Sequence, residues 1–184
     1  HVVVTNSGVL DHWVDLKNRV EKMPDVTAAA PFVQGPVIIE YQGRRMAPKI
    51  RGIDPELEEN VVAMRPFIIA GSYDLDGNKA ILGSDLARTL GAGVGDTISV
   101  FSPGNLDGVL EELDRLEKEG DKADAVALKQ MILPTELEVS GIFESGRYLY
   151  DSDYLLVPLH IGQELYNLGG GVHGLAIKTS DPYL

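Results

Sequence analysis

The sequence contains no cysteine, which excludes disulfide bonds, thiolate nucleophiles and cysteine-based metal sites. It also lacks any run that approaches the ~20 apolar residues of a membrane-spanning helix, and it has no secretory signal pattern. Positive charge is scarce, because 16 Lys and Arg stand against 28 Asp and Glu, for a formal net charge of -12. This balance argues against binding nucleic acid, and against binding an anionic membrane through a basic face.

The 184 residues that are present suffice for one domain, or for one domain with an inserted lobe, and 44% of them are hydrophobic. As it stands, the segment is expected to be soluble. We also expect it to be a piece of a longer protein, because it begins with His1 rather than Met and stops abruptly at Leu184.

The first fifty residues predict a strand, a helix and further strands. The valines at 2–4 predict a short buried strand, and residues 5–8 predict a turn. Apolar residues at helical spacing predict an amphipathic helix over residues 11–23, with Asp11 as its N-cap. Pro24 ends this helix.

Two extended runs follow, at residues 36–41 and 46–53, and the turn residues between them predict a hairpin. Further strands are predicted over residues 25–30, 80–82, 97–101, 136–143, 154–157 and 174–178, and helices over residues 58–62, 85–90 and 161–168. The predicted fold class is α+β, with mixed small sheets and packed helices.

The stretch Ser102–Pro134 differs from the rest of the chain and predicts a helical insert between two strands. Four leucines recur at helical spacing, namely Leu106, Leu110, Leu113 and Leu116. This apolar stripe either packs on its own domain, including a second helix after Gly120, or forms a protruding arm that binds another protein. The candidate partner-binding residues are these leucines with Met131 and Pro134.

No catalytic or metal-binding pattern stands out. Asp74 and Asp76 lie in an acidic segment that loosely resembles a calcium loop, but the terminal bidentate Glu is missing, which favours a polar turn. Asp151 and Asp153 could be paired carboxylates for acid–base chemistry, although alternate residues of a hairpin give the same pattern.

The four histidines, His1, His12, His160 and His173, are not spaced as metal ligands. The glycine-rich segment 91–95 follows a helix and precedes a strand, which is the reverse of the order that a phosphate-binding loop requires. The residues therefore predict no catalytic site, no cofactor and no metal.

Six short motifs together resemble one known family. In chain order they lie at residues 25–31, 51–55, 81–87, 94–98, 139–143 and 150–153, and they read DVTAAAP, RGIDP, ILGSDLA, VGDTI, VSGIF and YDSD. Each motif is weak alone, but their order and spacing span nearly the whole chain. The chain resembles the periplasmic domain of LolC/LolE-type lipoprotein-releasing ABC transporter permeases, within the MacB- and FtsX-like group.

The resemblance implies that residues 1–184 form one periplasmic core domain of an inner-membrane protein, whose transmembrane helices lie outside this sequence. It implies two lobes, a Porter-like α/β lobe and a mainly β Sabre-like lobe. It also implies a cytoplasmic ABC ATPase subunit, a sister permease or homodimer mate, and a periplasmic carrier that exchanges lipoproteins with the domain.

In that family a short hook between two strands grips the carrier. Residues 102–134 occupy the hook position but are longer and more helical, and Pro134 alone matches a proline at the hook base. The insert is therefore either a remodelled hook or an element without a partner. Two alternatives to the lipoprotein-releasing role remain: a MacB-like domain of a peptide or drug exporter, and a stand-alone ligand-binding domain or enzyme.

Overall fold

The computed structural model describes residues 2–102, 114–116, 118–120, 124 and 133–181. The strands are β1 (Val2–Leu10), β2 (Val26–Pro36), β3 (Ile38–Tyr41), β4 (Arg44–Met46), β5 (Lys49–Ile53), β6 (Ile68–Gly71), β7 (Lys79–Gly83), β8 (Thr97–Phe101), β9 (Thr135–Phe143), β10 (Tyr154–Pro158) and β11 (Val172–Thr179). The helices are α1 (Trp13–Val20), α2 (Pro55–Val61), α3 (Ser84–Leu90), α4 (Tyr148–Asp153) and α5 (Leu159–Leu165), with a 3₁₀ turn at Arg65–Phe67.

The strands form one hydrogen-bonded sheet in the order β1-β11-β2-β5-β10-β7-β9-β8-β3-β4, and β6 pairs with β9 beside this path. Two pairs are parallel, β5 with β10 and β7 with β9, and the other ladders are antiparallel. The predicted α+β class is confirmed. The several small sheets that we expected are joined, because β10 links β5 to β7 and so connects the two halves of the chain.

Helices cover both faces of the sheet. Alternate residues of β2 face opposite sides, so Ala29 packs with Val20 of α1, whereas Ala30 packs with Val61 of α2. The helices α3 and α5 bury their apolar residues in the largest cluster, and Tyr150 of α4 packs on the opposite side. That cluster includes Ile50, Leu82, Leu86, Leu90, Ile98, Val139, Leu155 and Ile161, each almost fully buried.

The first strand differs from its prediction in length and in exposure. Residues 5–8, which were expected to turn, continue the strand to Leu10 with a register shift between Thr5 and Leu10. Val2 and Val3 are exposed rather than buried. The physical reason is that β1 is the outermost strand of the sheet and pairs with β11 alone among the described strands.

The first helix is shorter than predicted. It begins at Trp13 after His12, so the N-cap assigned to Asp11 was wrong, and it ends at Val20. The N–H of Met23 donates to the carbonyl of Val20 at 3.0 Å, which tightens the chain into a turn before Pro24.

The predicted hairpin forms in part. The strand β3 pairs with β4 across Gln42 and Gly43, which have φ values of 47° and 78°. The run 46–53 was predicted as one strand but is interrupted at Pro48, whose carbonyl accepts a hydrogen bond from the N–H of Val37. The strand β5 therefore starts at Lys49 and pairs with β2 and β10 instead.

Candidate partner-binding site

Two paired strands form the base of the predicted arm. Val100 of β8 faces Thr135 of β9 in an antiparallel ladder, so the chain leaves the sheet and returns to it at neighbouring positions. Ser99 Oγ donates to Glu136 Oε1 at 2.7 Å across the same two strands. Any segment between these strands is therefore anchored at both ends by hydrogen-bonded backbone.

Only a few residues of the arm are described, and those at 114–116, 118, 119 and 124 are helical. Arg115 and Glu119 form an ion pair at 3.4 Å with the i,i+4 spacing of a helix. Leu116 is half-buried, and so is Pro134 at the arm's end. The other predicted binding residues, Leu106, Leu110, Leu113 and Met131, lie outside the described residues, so the apolar stripe stays a prediction.

The acidic segment that resembles a calcium loop is a polar turn held by its own chain. Asp74 Oδ1 accepts a hydrogen bond from the N–H of Asp76 at 3.0 Å, and Asp74 also pairs with Lys79. The hydrogen bond from Lys79 lowers the pKa of the Asp74 carboxyl. Among the residues that the structure describes, no group of three or more His, Asp and Glu could hold a metal ion.

The other candidate carboxylates lie on helix α4, so the expected hairpin at this position was wrong. Asp151 is buried and accepts hydrogen bonds from the N–H of Ser145 at 2.8 Å and from that of Gly146 at 3.0 Å. Asp153 lies at the surface and pairs with Lys49 at 3.2 Å. These carboxylates do not converge, because one organises the loop before α4 and the other joins the helix to β5.

A buried ion pair between β5 and α2 was missed by the sequence analysis. Arg51 donates from Nε to Glu58 Oε1 at 3.0 Å, and its guanidinium lies 4.6 Å from the centre of the Phe32 ring. Glu58 is almost fully buried, and its Oε2 has no hydrogen-bond partner among the described residues. Burial raises the pKa of Glu58, while the charge and the hydrogen bond of Arg51 oppose that rise.

This ion pair belongs to a longer polar network. Arg51 Nη1 donates to Gln34 Oε1 at 3.1 Å, and Gln34 Nε2 donates to the Tyr154 hydroxyl at 3.1 Å. The backbone N–H of Gln34 donates to His173 Nδ1 at 3.0 Å. The network connects β2, β5, β10 and β11. The one sequence signal was the RGIDP motif, which contains Arg51 but gives no sign of its partners.

A cleft of about 290 Å³ lies where β2 begins and β11 ends. Glu21 and Lys178 contribute charged groups to its walls, and Leu57 and Asn60 of α2 lie on its other side. Its volume lies just below the range of small-molecule sites, which begins at about 300 Å³. Glu21 is engaged in an ion pair with Lys17, and Thr27 Oγ1 donates a hydrogen bond to the carbonyl of Lys178 at 3.1 Å.

The sheet architecture and the anchored insertion define a mixed α and β domain. The structure also places the first and last strands side by side, because β1 and β11 are antiparallel neighbours. No helix in the described part of the chain has the length and apolar content to cross a bilayer.

Residues 4–183 match the model of the MacB-like periplasmic core domain family. The chain belongs to this family. Its fold is similar to the extracellular domain of YknZ, a noncanonic ABC-type transporter from Gram-positive bacteria, with a TM-score of 0.62, 11% identity, and coverage of 97% of this chain and 77% of that one. It is also similar to the periplasmic region of MacB from Actinobacillus actinomycetemcomitans, with a TM-score of 0.56, 12% identity, and coverage of 97% and 67%.

Two relatives by sequence are lipoprotein-releasing system transmembrane proteins. LolC of Neisseria meningitidis serogroup B is 28% identical over 173 residues, which are 92% of this chain and 37% of the relative. LolE of Haemophilus influenzae is 22% identical over 178 residues, which are 95% of this chain and 38% of the relative. The chain thus spans less than two fifths of these relatives. The predicted resemblance to LolC/LolE-type permeases is confirmed.

Proposed function

We propose that this chain is the extracytoplasmic domain of an inner-membrane ABC transporter permease of the lipoprotein-releasing type. In this role it receives lipoproteins or passes them to a periplasmic carrier, while a separate cytoplasmic ATPase subunit supplies the energy. The observation that carries the proposal is the sequence match to LolC and LolE, which covers 92% and 95% of this chain.

The position of the chain ends supports a role in coupling. Val2 of β1 lies opposite Ile177 of β11, so the chain enters and leaves the sheet at the same end. Chain segments attached to the start of β1 and to the end of β11 would both pull on the same pair of hydrogen-bonded strands. A movement in the membrane could then displace the whole domain rather than deform it.

The arm at residues 102–134 is the proposed partner-binding element. Leu106, Leu110, Leu113 and Leu116 would form its apolar stripe, with Met131 and Pro134 toward its end. The antiparallel base between Val100 and Thr135 supports this assignment, because it holds both ends of the arm on the sheet. The partner would be a periplasmic lipoprotein carrier or a lipoprotein.

The proposed role requires no chemistry on this domain, and we propose that it is not an enzyme. The candidate carboxylates are engaged with their own chain, since Asp74 pairs with Lys79, Asp151 holds the loop before α4, and Asp153 pairs with Lys49.

The direct test is to deplete the parent protein in its own cell and to measure how lipoproteins divide between the inner and outer membranes. We expect lipoproteins to accumulate in the inner membrane. A parent carrying charged substitutions at the four arm leucines should give the same accumulation, whereas Val14→Glu, at an exposed position of α1 outside the arm, should not. Normal lipoprotein sorting after depletion would contradict the proposal.

The alternative in the same class is a MacB-like exporter of peptides or drugs. The parent's sequence separates the two roles, because the lipoprotein-releasing type keeps its ATPase on a separate chain. We expect one apolar stretch of ~20 residues before His1, three after Leu184, and no ATPase domain. Soluble flanks would favour instead a stand-alone ligand-binding domain or enzyme, with the cleft beside α2 as its first candidate site.

A further inference from the structure

The cleft of about 290 Å³ beside α2 contains a lysine without an ion-pair partner. Lys178 lines this cleft and takes part in none of the ion pairs between described residues. The preceding Ile177 packs with α1 on one face of the sheet, so the side chain of Lys178 leaves the sheet on the opposite face, where α2 lies. The cleft therefore offers an ammonium group to an anion.

The wall formed by β2 adds a backbone donor to the cleft. The N–H of Gln34 donates to His173 of β11, and successive residues of a strand turn to opposite sides, so Ala29 turns its N–H and C=O away from β11. On that side β5 ends at Ile53, which faces Phe32, so no described strand reaches Ala29 there. Because Ala29 lines the cleft, its N–H is a second group that can bind an anion.

A carboxylate lines the same cleft. Glu21 pairs with Lys17 at 2.9 Å, but its side chain is 36% exposed, and each carboxylate oxygen can accept more than one hydrogen bond. An exposed ion pair of this kind is weak, so a second cation can share the carboxylate. The cleft thus presents a cation and an anion together, which fits a ligand that carries adjacent phosphate and ammonium groups.

The cleft lies at the end of the domain where the chain enters and leaves the sheet. Val2 of β1 faces Ile177 of β11, and the next residue of β11 lines the cleft. Met23, in the turn before β2, and Val2 are 56% and 46% exposed. In the proposed function the flanking segments enter the membrane from this end, so the cleft lies beside the headgroups of the bilayer.

We propose that this cleft binds the headgroup of a zwitterionic phospholipid of the phosphoethanolamine class. Lys178 and the N–H of Ala29 bind the phosphate oxygens, and Glu21 accepts hydrogen bonds from the ammonium group. A cleft just below the size of sites for drug-sized ligands suits a headgroup without its acyl chains.

Electrostatics favours a zwitterionic lipid over an anionic one. The chain carries a formal net charge of -12, which an anionic bilayer repels, whereas a zwitterionic bilayer has no net charge. A weak site is sufficient, because a domain tethered to the membrane meets its headgroups at an effective concentration in the millimolar range.

The soluble probe sn-glycero-3-phosphoethanolamine tests the site on the 184-residue chain. In ¹H–¹⁵N correlation spectra we expect saturable shifts of the amide signals of Ala29 and Lys178, with a dissociation constant of about 1–10 mM. Lys178→Gln should raise this constant at least about tenfold, because it removes the charge that binds the phosphate.

Lys22→Gln is the matched control, since Lys22 is another exposed lysine at the same end of the domain but does not line the cleft. It should leave the dissociation constant within about twofold. The absence of shifts up to about 50 mM probe overturns the proposal, as does equal weakening by both lysine variants, which would indicate general attraction to charge.

Glu21→Gln tests the ammonium half of the site. The unchanged chain should bind sn-glycero-3-phosphoethanolamine more tightly than glycerol 3-phosphate, and the variant should lose this preference. A chain without the preference, or a variant that keeps it, overturns the assignment of a zwitterionic ligand.

Co-sedimentation with vesicles separates a membrane headgroup from a soluble phosphate ester. The bound fraction should increase when phosphatidylethanolamine is added to phosphatidylcholine, whose methylated ammonium donates no hydrogen bond to Glu21, and Lys178→Gln should abolish the increase. Binding of the soluble probe without binding to these vesicles overturns the membrane assignment. This inference rests on the proposed function only for the position of the membrane, and its failure would leave the expected change in lipoprotein sorting untouched.

Discussion

At the scale of single residues, the least typical feature is the buried pair of Arg51 and Glu58. The carboxylate is 3% exposed, and one of its oxygens lacks a hydrogen-bond partner among the described residues. Transfer of a carboxylate from water into the protein interior is unfavourable. The attraction to a single cation offsets this desolvation penalty only when the geometry of the ion pair is good. The pair therefore serves to fix α2 on β5 more than to add net stability.

Arg51→Met should lower the free energy of unfolding by about 3–5 kcal/mol near pH 7, because it leaves the Glu58 carboxylate buried without a cation. Burial already raises the pKa of Glu58 from its ordinary 4.5, and the loss of Arg51 raises it further. The folded state then binds this proton more tightly than the unfolded chain does. The free energy of unfolding of the variant therefore falls as pH rises through the folded-state pKa of Glu58. It increases again as the pH is lowered toward the ordinary pKa of 4.5.

Urea unfolding between neutral and mildly acidic pH measures this effect. The control is the double variant Arg51→Met with Glu58→Leu, which buries neither charge. It should return to within about 2 kcal/mol of the unchanged chain and should lose the added pH dependence. A single variant whose stability loss is the same at every pH would show that packing, and not the Glu58 proton, is responsible.

At the scale of elements, helix α5 lies directly against the backbone of β5 at Gly52 and against the side chain of Val33 in β2. A Cβ atom built on Gly162 of α5 would come within 3.0 Å of Val33 Cβ and 3.3 Å of Gly52 Cα. Helix and strand can approach this closely because glycine stands on both sides of the contact. The buried Ile161 and Leu165 of α5 reach the main core for the same reason.

Gly162→Val should lower the free energy of unfolding by about 1–3 kcal/mol, because the new side chain would push α5 away from the sheet. Gly170→Ala is the control, since a Cβ there meets nothing within 4 Å and should leave stability nearly unchanged. Thermal and urea unfolding of both variants measure the difference. Equal stability of the two would mean that α5 is not closely packed in solution.

At the scale of the whole molecule, one continuous sheet passes from the chain ends at β1 and β11 to the base of the arm at β8 and β9. Between them, β10 is the connecting strand, with β5 on one side and β7 on the other. An unbroken series of paired strands therefore joins the strands at the chain ends to the strands at the base of the arm.

Replacing residues 103–132 with two glycines should change the free energy of unfolding by no more than about 1 kcal/mol. Val100 and Thr135 already face each other, so a short connection can close the ladder between β8 and β9. Urea unfolding is the measurement. A loss of more than about 3 kcal/mol would show that the arm's apolar stripe packs on its own domain rather than on a partner.

Elements with a strong local signal were predicted well. The helix at 85–90, with Leu86, Ala87 and Leu90 on its inner face, is confirmed as α3 with these side chains buried. The helix predicted over residues 58–62 is present as α2, but it begins earlier, at Pro55, after Asp54, whose carboxylate accepts hydrogen bonds from the N–H groups of Glu56 and Leu57. Helical periodicity and caps depend on residues within one or two turns, so the sequence can reveal them, although the cap predicted at Asp11 was wrong.

The sequence by itself determined the absence of cysteine, the acidic surface, the α+β class and, through its motifs, the family. Only the tertiary structure decided that β1 is an exposed edge, that Asp151 is a buried loop anchor, and that Arg51 meets Glu58, Gln34 and Phe32. The physical reason is distance along the chain. Strand order and burial depend on partners that can lie more than a hundred residues away, such as Gln34 and His173, and no local pattern encodes those pairings.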